Sequence, residues 1–191
     1  MKIGIEAQRL FRTKKHGMDI VALELIKSLQ EQDKENEYHI LVKKDKDMGC
    51  LEIRNPKFTL HVLPSFPYPI WEQLLLPFYV WRLKLDLLHC TANTAPVYCP
   101  CKKVVTLHDI IFLEQNPIKG LGSSYQKLGN LYRKYVVPIV VKNCKRLFTV
   151  SHFEQQRILD YFRLKEEKVK VVYNGVGAHF FVQHSTEDKQ M

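Results

Sequence analysis

The 191-residue chain lacks the features that carry a protein into or across a membrane. Its first residues, MKIGIEAQRL, contain no apolar segment after the lysine, which argues against a secretory signal peptide. No window reaches the 18 apolar residues of a membrane span, and the most apolar stretch, 70–88, is interrupted by Pro77 and by charged side chains. We therefore expect a cytoplasmic protein whose membrane contact, if there is one, is peripheral and at the inner face.

Cysteine is scarce, and the five present make an odd number. With no secretion signal, this count predicts reduced thiols rather than a disulfide framework. The only close pair is Cys99-Pro-Cys101, and no second pair of cysteines or histidines stands at a zinc-binding spacing. We therefore expect ordinary thiols, no metal and no bound cofactor.

The familiar nucleotide and nucleic-acid signatures are also missing. No G-x-G-x-x-G follows the first strand and there is no Walker motif, which weakens the hypothesis of a nucleotide-binding regulator. The net charge of +9 favours anionic partners such as phosphates or an acidic membrane. No basic helix with interleaved aromatic residues is present, so nucleic acid is not an expected partner.

The chain does contain short apolar runs that alternate with helical patterns. Strands are predicted at 2–7, 37–44, 58–63, 85–90, 103–109, 146–150 and 168–174, and helices at 18–30, 70–84, 123–144 and 151–162. The strands are continuous apolar runs, as expected when both faces of a sheet are covered. The pattern predicts an α/β domain with a Rossmann-like, mainly parallel sheet and helices on both faces.

Polar residues and glycines follow five of the predicted strands. Ligands of open parallel sheets bind beyond the carboxyl ends of the strands, so these residues are candidates for donor or acceptor binding. His108 and Asp109 interrupt an apolar run and are the candidate catalytic pair, since such a placement is costly unless the groups are used or fully hydrogen-bonded. The binding candidates are Arg9, Gly17, His89, Asn93, Ser151, Asn174 and Gly175.

Most of the binding candidates also have a structural interpretation. Ser151 fits a helix N-cap, with Glu154 completing a capping box. Asn174-Gly175 fits a turn, because both residues tolerate positive φ. His89 fits a hydrogen-bonded core histidine, and Arg9 fits a structural ion pair. The sequence leaves these alternatives open.

Three blocks of the sequence resemble glycosyltransferase family 4. The blocks are MKIGIEAQRL, then LLHCTANTAPVYCPCKKVVTLHDIIFLEQNP, then LFTVSHFEQQRILDYFRLKEEKVKVVYNGV. They occur in the order and spacing of that family and cover nearly the whole chain.

The resemblance implies one half of a GT-B enzyme, in which two Rossmann-like domains face each other across a cleft. The N-terminal domain of such enzymes mainly binds the acceptor, and the C-terminal domain binds the nucleotide sugar. Transfer of the hexose is expected to retain anomeric configuration and to need no metal. By position, His108 matches the histidine that reaches the donor sugar, Asp109 would orient it or hold the strand end, and Gly17 matches a glycine loop near the donor phosphates.

Two departures from the family pattern bear on function. The loop before the first helix has Gly17 alone, where the family usually has more glycines. The chain also ends soon after the last strand, so residues 1–182 are expected to form the N-terminal domain and 183–191 a loose polar tail or the start of a linker. The donor-binding half would then be absent, and the chain is expected to be inactive alone.

The sequence therefore leaves two hypotheses for the function. The first is the acceptor half of a retaining glycosyltransferase in polysaccharide biosynthesis, which acts on a glycan or a lipid-linked acceptor. The second is a non-catalytic half-domain that binds a glycan or a protein. Aromatic residues in the helix 70–84 either meet a membrane or form core and cleft wall; these are Trp71, Phe78, Tyr79 and Trp81.

Overall fold

The computed structural model describes residues 1–114 and 124–175, except for the side chains of 124–126. The predicted polar tail, 183–191, lies outside the described residues, as does most of the expected interdomain connection after Gly175.

The described residues form a sheet of seven parallel strands in the order β3-β2-β1-β4-β5-β6-β7. The strands are β1 (Lys2–Glu6), β2 (Glu37–Lys43), β3 (Phe58–Leu63), β4 (Leu87–Cys90), β5 (Lys102–Thr106), β6 (Arg146–Thr149) and β7 (Val169–Val171). The predicted Rossmann-like α/β fold is confirmed, and the sheet is wholly parallel within the described part of the chain.

Helices connect the strands. They are α1 (Gly17–Gln32), α2 (Tyr68–Ile70), α3 (Leu76–Arg82), α4 (Ile111–Glu114), α5 (Ser124–Asn143) and α6 (His152–Phe162), with 3₁₀ turns at Met48–Cys50 and Glu166–Lys168. The two 3₁₀ turns and α4 are too short to show a periodic pattern in the sequence.

Two apolar cores cover the two faces of the sheet. Ile40 belongs to the core beneath α1, whereas the next residue, Leu41, belongs to the core that contains residues of α3, α5 and α6. Successive strand residues point to opposite faces, so both faces are buried. Close packing favours glycine at position 4, because a Cβ built on Gly4 would lie 2.5 Å from Leu85 Cδ1.

A π-helical turn, Trp71–Leu75, joins α2 to α3. The Leu76 N–H donates to the carbonyl of Trp71, five residues earlier, and Pro77 follows at once. Proline has no N–H to donate, so the irregular turn lies where the regular ladder would be interrupted. The predicted kink at Pro77 therefore takes the form of a π turn, and the helix begins at Tyr68, two residues before the predicted start.

The predicted strand 103–109 is too long at its carboxyl end. β5 ends at Thr106, and His108 and Asp109 lie in the loop that leads to α4. The apolar residues after the pair enter a short helix, in which Phe112 and Leu113 are buried. The loop therefore presents the pair at the end of the sheet.

Candidate functional site

The carboxyl ends of three central strands are joined by two hydrogen bonds. Thr91, just after β4, donates its hydroxyl to the backbone carbonyl of Glu6 at 2.8 Å. His108, after β5, donates from Nε2 to the carbonyl of Thr91 at 2.9 Å. Parallel strands bring their carboxyl ends to one edge, and here that edge fixes the imidazole of His108.

The hydrogen bond of His108 determines which ring nitrogen carries the proton. A carbonyl only accepts, so Nε2 is protonated and Nδ1 of the neutral ring is an acceptor. Burial lowers the pKa of His108, partly offset by its bond to Thr91 and by the charge of Asp109. A neutral imidazole at this position accepts a hydrogen bond through Nδ1.

Asn93 holds the backbone of His108. Its Oδ1 accepts from the His108 N–H at 2.6 Å, and its own N–H donates to the Thr106 carbonyl. Asn93 is buried and has a φ of 61°, a left-handed conformation that asparagine tolerates better than most residues. In this structure it positions His108 by joining the loops after β4 and β5.

Asp109 lies in the loop just before the short helix α4 and makes no hydrogen bond with His108 in the described structure. Its Oδ1 accepts from the N–H of Ile111 at 3.1 Å. This hydrogen bond holds the start of α4, and the two expected roles of Asp109, orienting the imidazole or holding the strand end, stay predictions.

Glu6 adds a buried carboxyl group that was not among the predicted site residues. Its side chain is almost inaccessible, and its Oε1 accepts from the Gln8 N–H at 3.0 Å. Burial raises the pKa of Glu6 to about 7, partly opposed by the Gln8 hydrogen bond. The strand-end position was visible in the sequence, but its burial was not.

Arg9 lies over an aromatic ring and pairs with no carboxylate. Its Cζ is 4.8 Å from the centre of the Tyr68 ring, a cation–π distance. No carboxylate oxygen of the described residues lies within 4.0 Å of its guanidinium group, so the structural ion pair is not found.

Arg133 in α5 supplies a second guanidinium group near the same edge. Its Cζ lies 5.3 Å from the centre of the Phe112 ring, and its Nη2 donates to Asn130 Oδ1 at 2.5 Å. Its Nε is buried and has no hydrogen-bond partner among the described residues. Burial and then the positive charge of Arg9 lower the pKa of Arg133, so the two cations influence each other.

Behind Tyr68 lies a buried carboxylate that is fully hydrogen-bonded. Donors to the Glu72 carboxylate are the hydroxyls of Tyr68, Thr94 and Tyr132 and the amide of Gln73. Burial and the charge of Glu72 raise the pKa of both tyrosines. The network fixes the wall of the site, and the sequence did not reveal it because its members come from distant segments.

His89 lies on the central strand β4, and its side chain is half-buried. Its Nε2 contacts Thr106 Oγ1 at 2.8 Å, and its ring packs against Phe148 at 5.7 Å between centres. Burial, followed by the charge of His108, lowers the pKa of His89 to about 4. The interpretation as a hydrogen-bonded core histidine fits this geometry.

Gly17 begins α1, close to a small pocket beside the site. The pocket is lined by residues of the first loop, of α1 and of the β4 end, including Glu6, Arg9, Asp19, Tyr68 and Thr91. Gly17 itself has no positive φ, and a Cβ there would meet nothing within 4 Å. No backbone constraint in the described structure therefore requires glycine at this position.

The remaining candidates follow the last two strands, β6 and β7. Ser151 caps α6, accepting from the Glu154 N–H at 3.1 Å, while the Glu154 carboxylate bonds to Arg157 instead of completing a capping box. Asn174 and Gly175 are exposed and neither has a positive φ, so the positive-φ turn is wrong.

A groove of about 700 Å³ lies at the other end of α1. Two of its cationic groups already have protein partners: Arg54 pairs with Glu52, and Lys57 donates to the carbonyls of Lys34 and Glu35. We therefore place the site at the carboxyl edge of the sheet.

Residues 1–114 and 124–175 contain neither a metal-binding cluster nor a membrane-spanning helix. No three His, Cys, Asp or Glu side chains are placed there to hold a metal ion. None of the helices in this part of the chain combines the length and apolarity needed to cross a membrane.

The chain is similar to known proteins in sequence and in fold. The model of Glycosyltransferase Family 4 matches residues 16–179. The O-antigen chain mannosyltransferase RfbU of Salmonella typhimurium strain LT2 is 29% identical over 129 residues, which are 68% of this chain and 33% of RfbU.

Solved structures of Anabaena Alr3699/HepE share the fold. The complex with UDP superposes with a TM-score of 0.58, and the complex with UDP and glucose with 0.60, both at 18% sequence identity. Each match covers 98% of this chain and 48% of HepE. The chain thus spans about half the length of the solved structures and a third of the curated relative that it matches.

Proposed function

The chain belongs to Glycosyltransferase Family 4, and on that premise we propose that it is the acceptor-side domain of a retaining hexosyltransferase. The enzyme would transfer a sugar from a nucleotide sugar to a glycan or a lipid-linked acceptor in polysaccharide biosynthesis. The observation that carries this proposal is the fixed imidazole of His108, whose bond to Thr91 leaves Nδ1 as an acceptor with no partner among the described residues.

Glycosyl transfer requires a held acceptor hydroxyl and stabilisation of charge on the leaving diphosphate. In the proposed site, Nδ1 of His108 accepts a hydrogen bond from a sugar hydroxyl. Glu6, whose pKa is raised to about 7, is a carboxyl group able to exchange a proton near neutrality.

Two cations support a phosphate-bearing ligand at this edge. Arg9 has no carboxylate within 4.0 Å among the described residues, and the buried Nε of Arg133 has no acceptor there. Guanidinium groups bind phosphate strongly through charge-assisted hydrogen bonds. We assign these groups to charge stabilisation without a metal.

A second domain completes the proposed enzyme. The chain spans 48% of the HepE structures, and the nucleotide sugar would bind mainly to a C-terminal domain, in the same polypeptide or in a partner. The isolated chain is then expected to be inactive. Arg9, Gly17, Asn93, Ser151, Asn174 and Gly175 stay predicted ligand contacts on this side of the cleft, with Asp109 beside His108.

A lipid-linked acceptor would bring the enzyme to a membrane surface. Of the aromatic residues predicted for this role, Trp71 is fully buried and Tyr79 is half-buried, so both are core. One face of the α2–α3 segment nevertheless exposes an apolar stripe, which consists of Ile70, Leu74, Phe78 and Trp81. Arg82 and Lys84 lie beside it, and such a basic apolar face suits the acidic inner leaflet.

The test is an assay on the native polypeptide that contains this chain, isolated from its source cells with an antibody raised against residues 1–114. We expect it to transfer label from at least one nucleotide sugar to a lipid or glycan extract of those cells, and the isolated 191-residue chain to transfer none. Turnover by the isolated chain would refute the two-domain requirement. Glycan binding without transfer by the native polypeptide would favour the non-catalytic half-domain.

A further inference from the structure

The loop between β4 and β5 brings two thiols together. The chain bends at Pro100 and Cys101, and the Sγ atoms of Cys99 and Cys101 lie 3.7 Å apart. A disulfide bond is about 2.05 Å long. Closing the pair therefore needs a movement of less than about 2 Å, within a loop that is already bent.

A buried ammonium group lies next to this pair. Lys103 is almost inaccessible, and its Nζ donates to the carbonyls of Pro96 at 2.5 Å and Val97 at 2.8 Å. Within the described residues no carboxylate comes within 4.0 Å of Nζ. Its charge is thus available to a thiolate in the loop that it holds.

The two sulfurs differ in protonation. The hydrogen bond from Cys101, followed in smaller measure by the charge of Lys103, lowers the pKa of Cys99 to about 7 against the opposing effect of burial. The same hydrogen bond raises the pKa of Cys101. With a pKa of about 7, Cys99 is about half ionised at neutral pH, so it is the thiol of the pair that more readily becomes the thiolate.

The other cysteines lack this arrangement. Cys90 and Cys144 are buried, and burial raises the pKa of both thiols. Cys50 is half-buried and its Sγ donates to the Leu10 carbonyl at 3.6 Å. It is the matched control, since it has similar exposure and no neighbouring thiol.

We propose that Cys99 and Cys101 form a thiol–disulfide exchange site that reacts with small disulfides, with Cys99 as the attacking thiolate and Cys101 as the resolving thiol. In the first step Cys99 attacks one sulfur of the small disulfide, and one small thiolate leaves. In the second step Cys101 loses its proton and attacks Cys99, and the second small thiolate leaves. Two protein thiols are oxidised to one disulfide, and the small disulfide is reduced to two thiols, so electrons and protons balance.

The test uses 2-hydroxyethyl disulfide on the reduced 191-residue chain at pH 7, followed by intact mass and peptide mapping. We expect a loss of about 2 Da relative to the reduced chain, a Cys99–Cys101 linkage, and reversal by dithiothreitol. The Cys50→Ser variant should give the same product. Cys101→Ser should stop at a mixed disulfide on Cys99. A wild-type chain that stays unreacted, or stops at a mixed disulfide, would overturn the proposal.

Rates of alkylation test whether Cys99 is the attacking thiol, because alkylation does not require the disulfide to form. Iodoacetamide should modify Cys99 with a half-maximal rate near pH 7 in the wild type, and Cys101→Ala should slow that modification roughly tenfold at pH 7. Lys103→Met should also slow it, whereas Lys102→Met, at the exposed neighbouring position, should not. Faster modification of Cys50 than of Cys99 in the wild type would contradict the assignment.

Discussion

At the scale of single residues, Glu6 couples the site to pH. Its pKa in the folded chain is about 7, raised above the ordinary value of 4.5 mainly by burial. The folded chain therefore holds this proton more tightly than the unfolded chain does. The associated stability is fully present below pH 4.5 and is lost as pH rises through 7.

Glu6→Gln removes this pH dependence while keeping an oxygen that accepts from the Gln8 N–H. We expect the variant to be more stable than wild type at pH 8, by up to about 3 kcal/mol, and the difference to vanish near pH 4.5. Urea denaturation at several pH values measures it. If the difference in stability between Glu6→Gln and wild type does not shrink as the pH falls, burial of the Glu6 charge is not its cause.

Replacing Arg133 tests whether the carboxyl edge of the sheet binds a phosphate-bearing ligand. Arg133→Met keeps much of the side-chain volume but removes the charge, so binding of inorganic pyrophosphate should weaken about tenfold or more. Lys134→Met is the control, because it removes the same charge at the exposed neighbouring position. Calorimetric titration of both variants compares them. Equal weakening would mean that only net charge matters, and the proposed site would fail.

Sequence reasoning identified residues at strand ends but not their partners on helices. Arg9, Asn93 and His108 follow strands, so the rule for parallel sheets predicts their location. Glu72 and Arg133 lie on helices distant in sequence, and only the fold brings them near the site. Burial explains why Glu6 has a raised pKa, and a strand-end position in the sequence does not reveal that burial.

At the level of single elements, α6 allows a structural role of Ser151 to be distinguished from a ligand-binding role. Ser151 accepts from the Glu154 N–H, as an N-cap does. Ser151→Ala should lower the free energy of unfolding by about 1 kcal/mol, and Ser151→Asp, which keeps a capping oxygen, should lower it much less. If Ser151 also binds ligand, the Asp variant of the native polypeptide will lose transfer while staying stable; if it is a cap alone, transfer will persist.

The elements themselves were largely predictable, and their ends were less so. β3 begins and ends where the alternation of strands and loops places it. β5 stops earlier than its apolar run, because the following residues turn into α4 under the hydrogen bond from Ile111 to Asp109. A residue that begins a short helix and one that ends a strand carry the same polar signal, so the sequence did not distinguish them.

At the scale of the whole molecule, the apolar stripe on the α2–α3 segment predicts membrane contact. The chain should sediment with vesicles of acidic phospholipid in a salt-sensitive manner, since basic groups flank the stripe. Trp81→Glu should abolish sedimentation, while Leu128→Glu should leave it intact, because both side chains are about two-thirds exposed but Leu128 lies on α5. Absence of pelleting by the wild type at low salt would end the membrane proposal.

The whole architecture followed from the sequence because alternation of continuous apolar strands with helices admits few arrangements. Ile40 and Leu41, adjacent in β2, pack into opposite cores, as such a strand requires. The lateral order of the strands did not follow in the same way. It depends on how each crossover packs, and it determines that Glu6, Thr91 and His108 share one edge.

The proposed role of His108 in glycosyl transfer at this edge is tested by replacing its imidazole in the native polypeptide. The rate of label transfer from the nucleotide sugar is compared among the native polypeptide, its His108→Ala variant and its His61→Ala variant, which changes a histidine on the edge strand β3. We predict a loss of at least about 100-fold in kcat/KM for His108→Ala and little change for His61→Ala. Equal rates in the two variants would contradict the account.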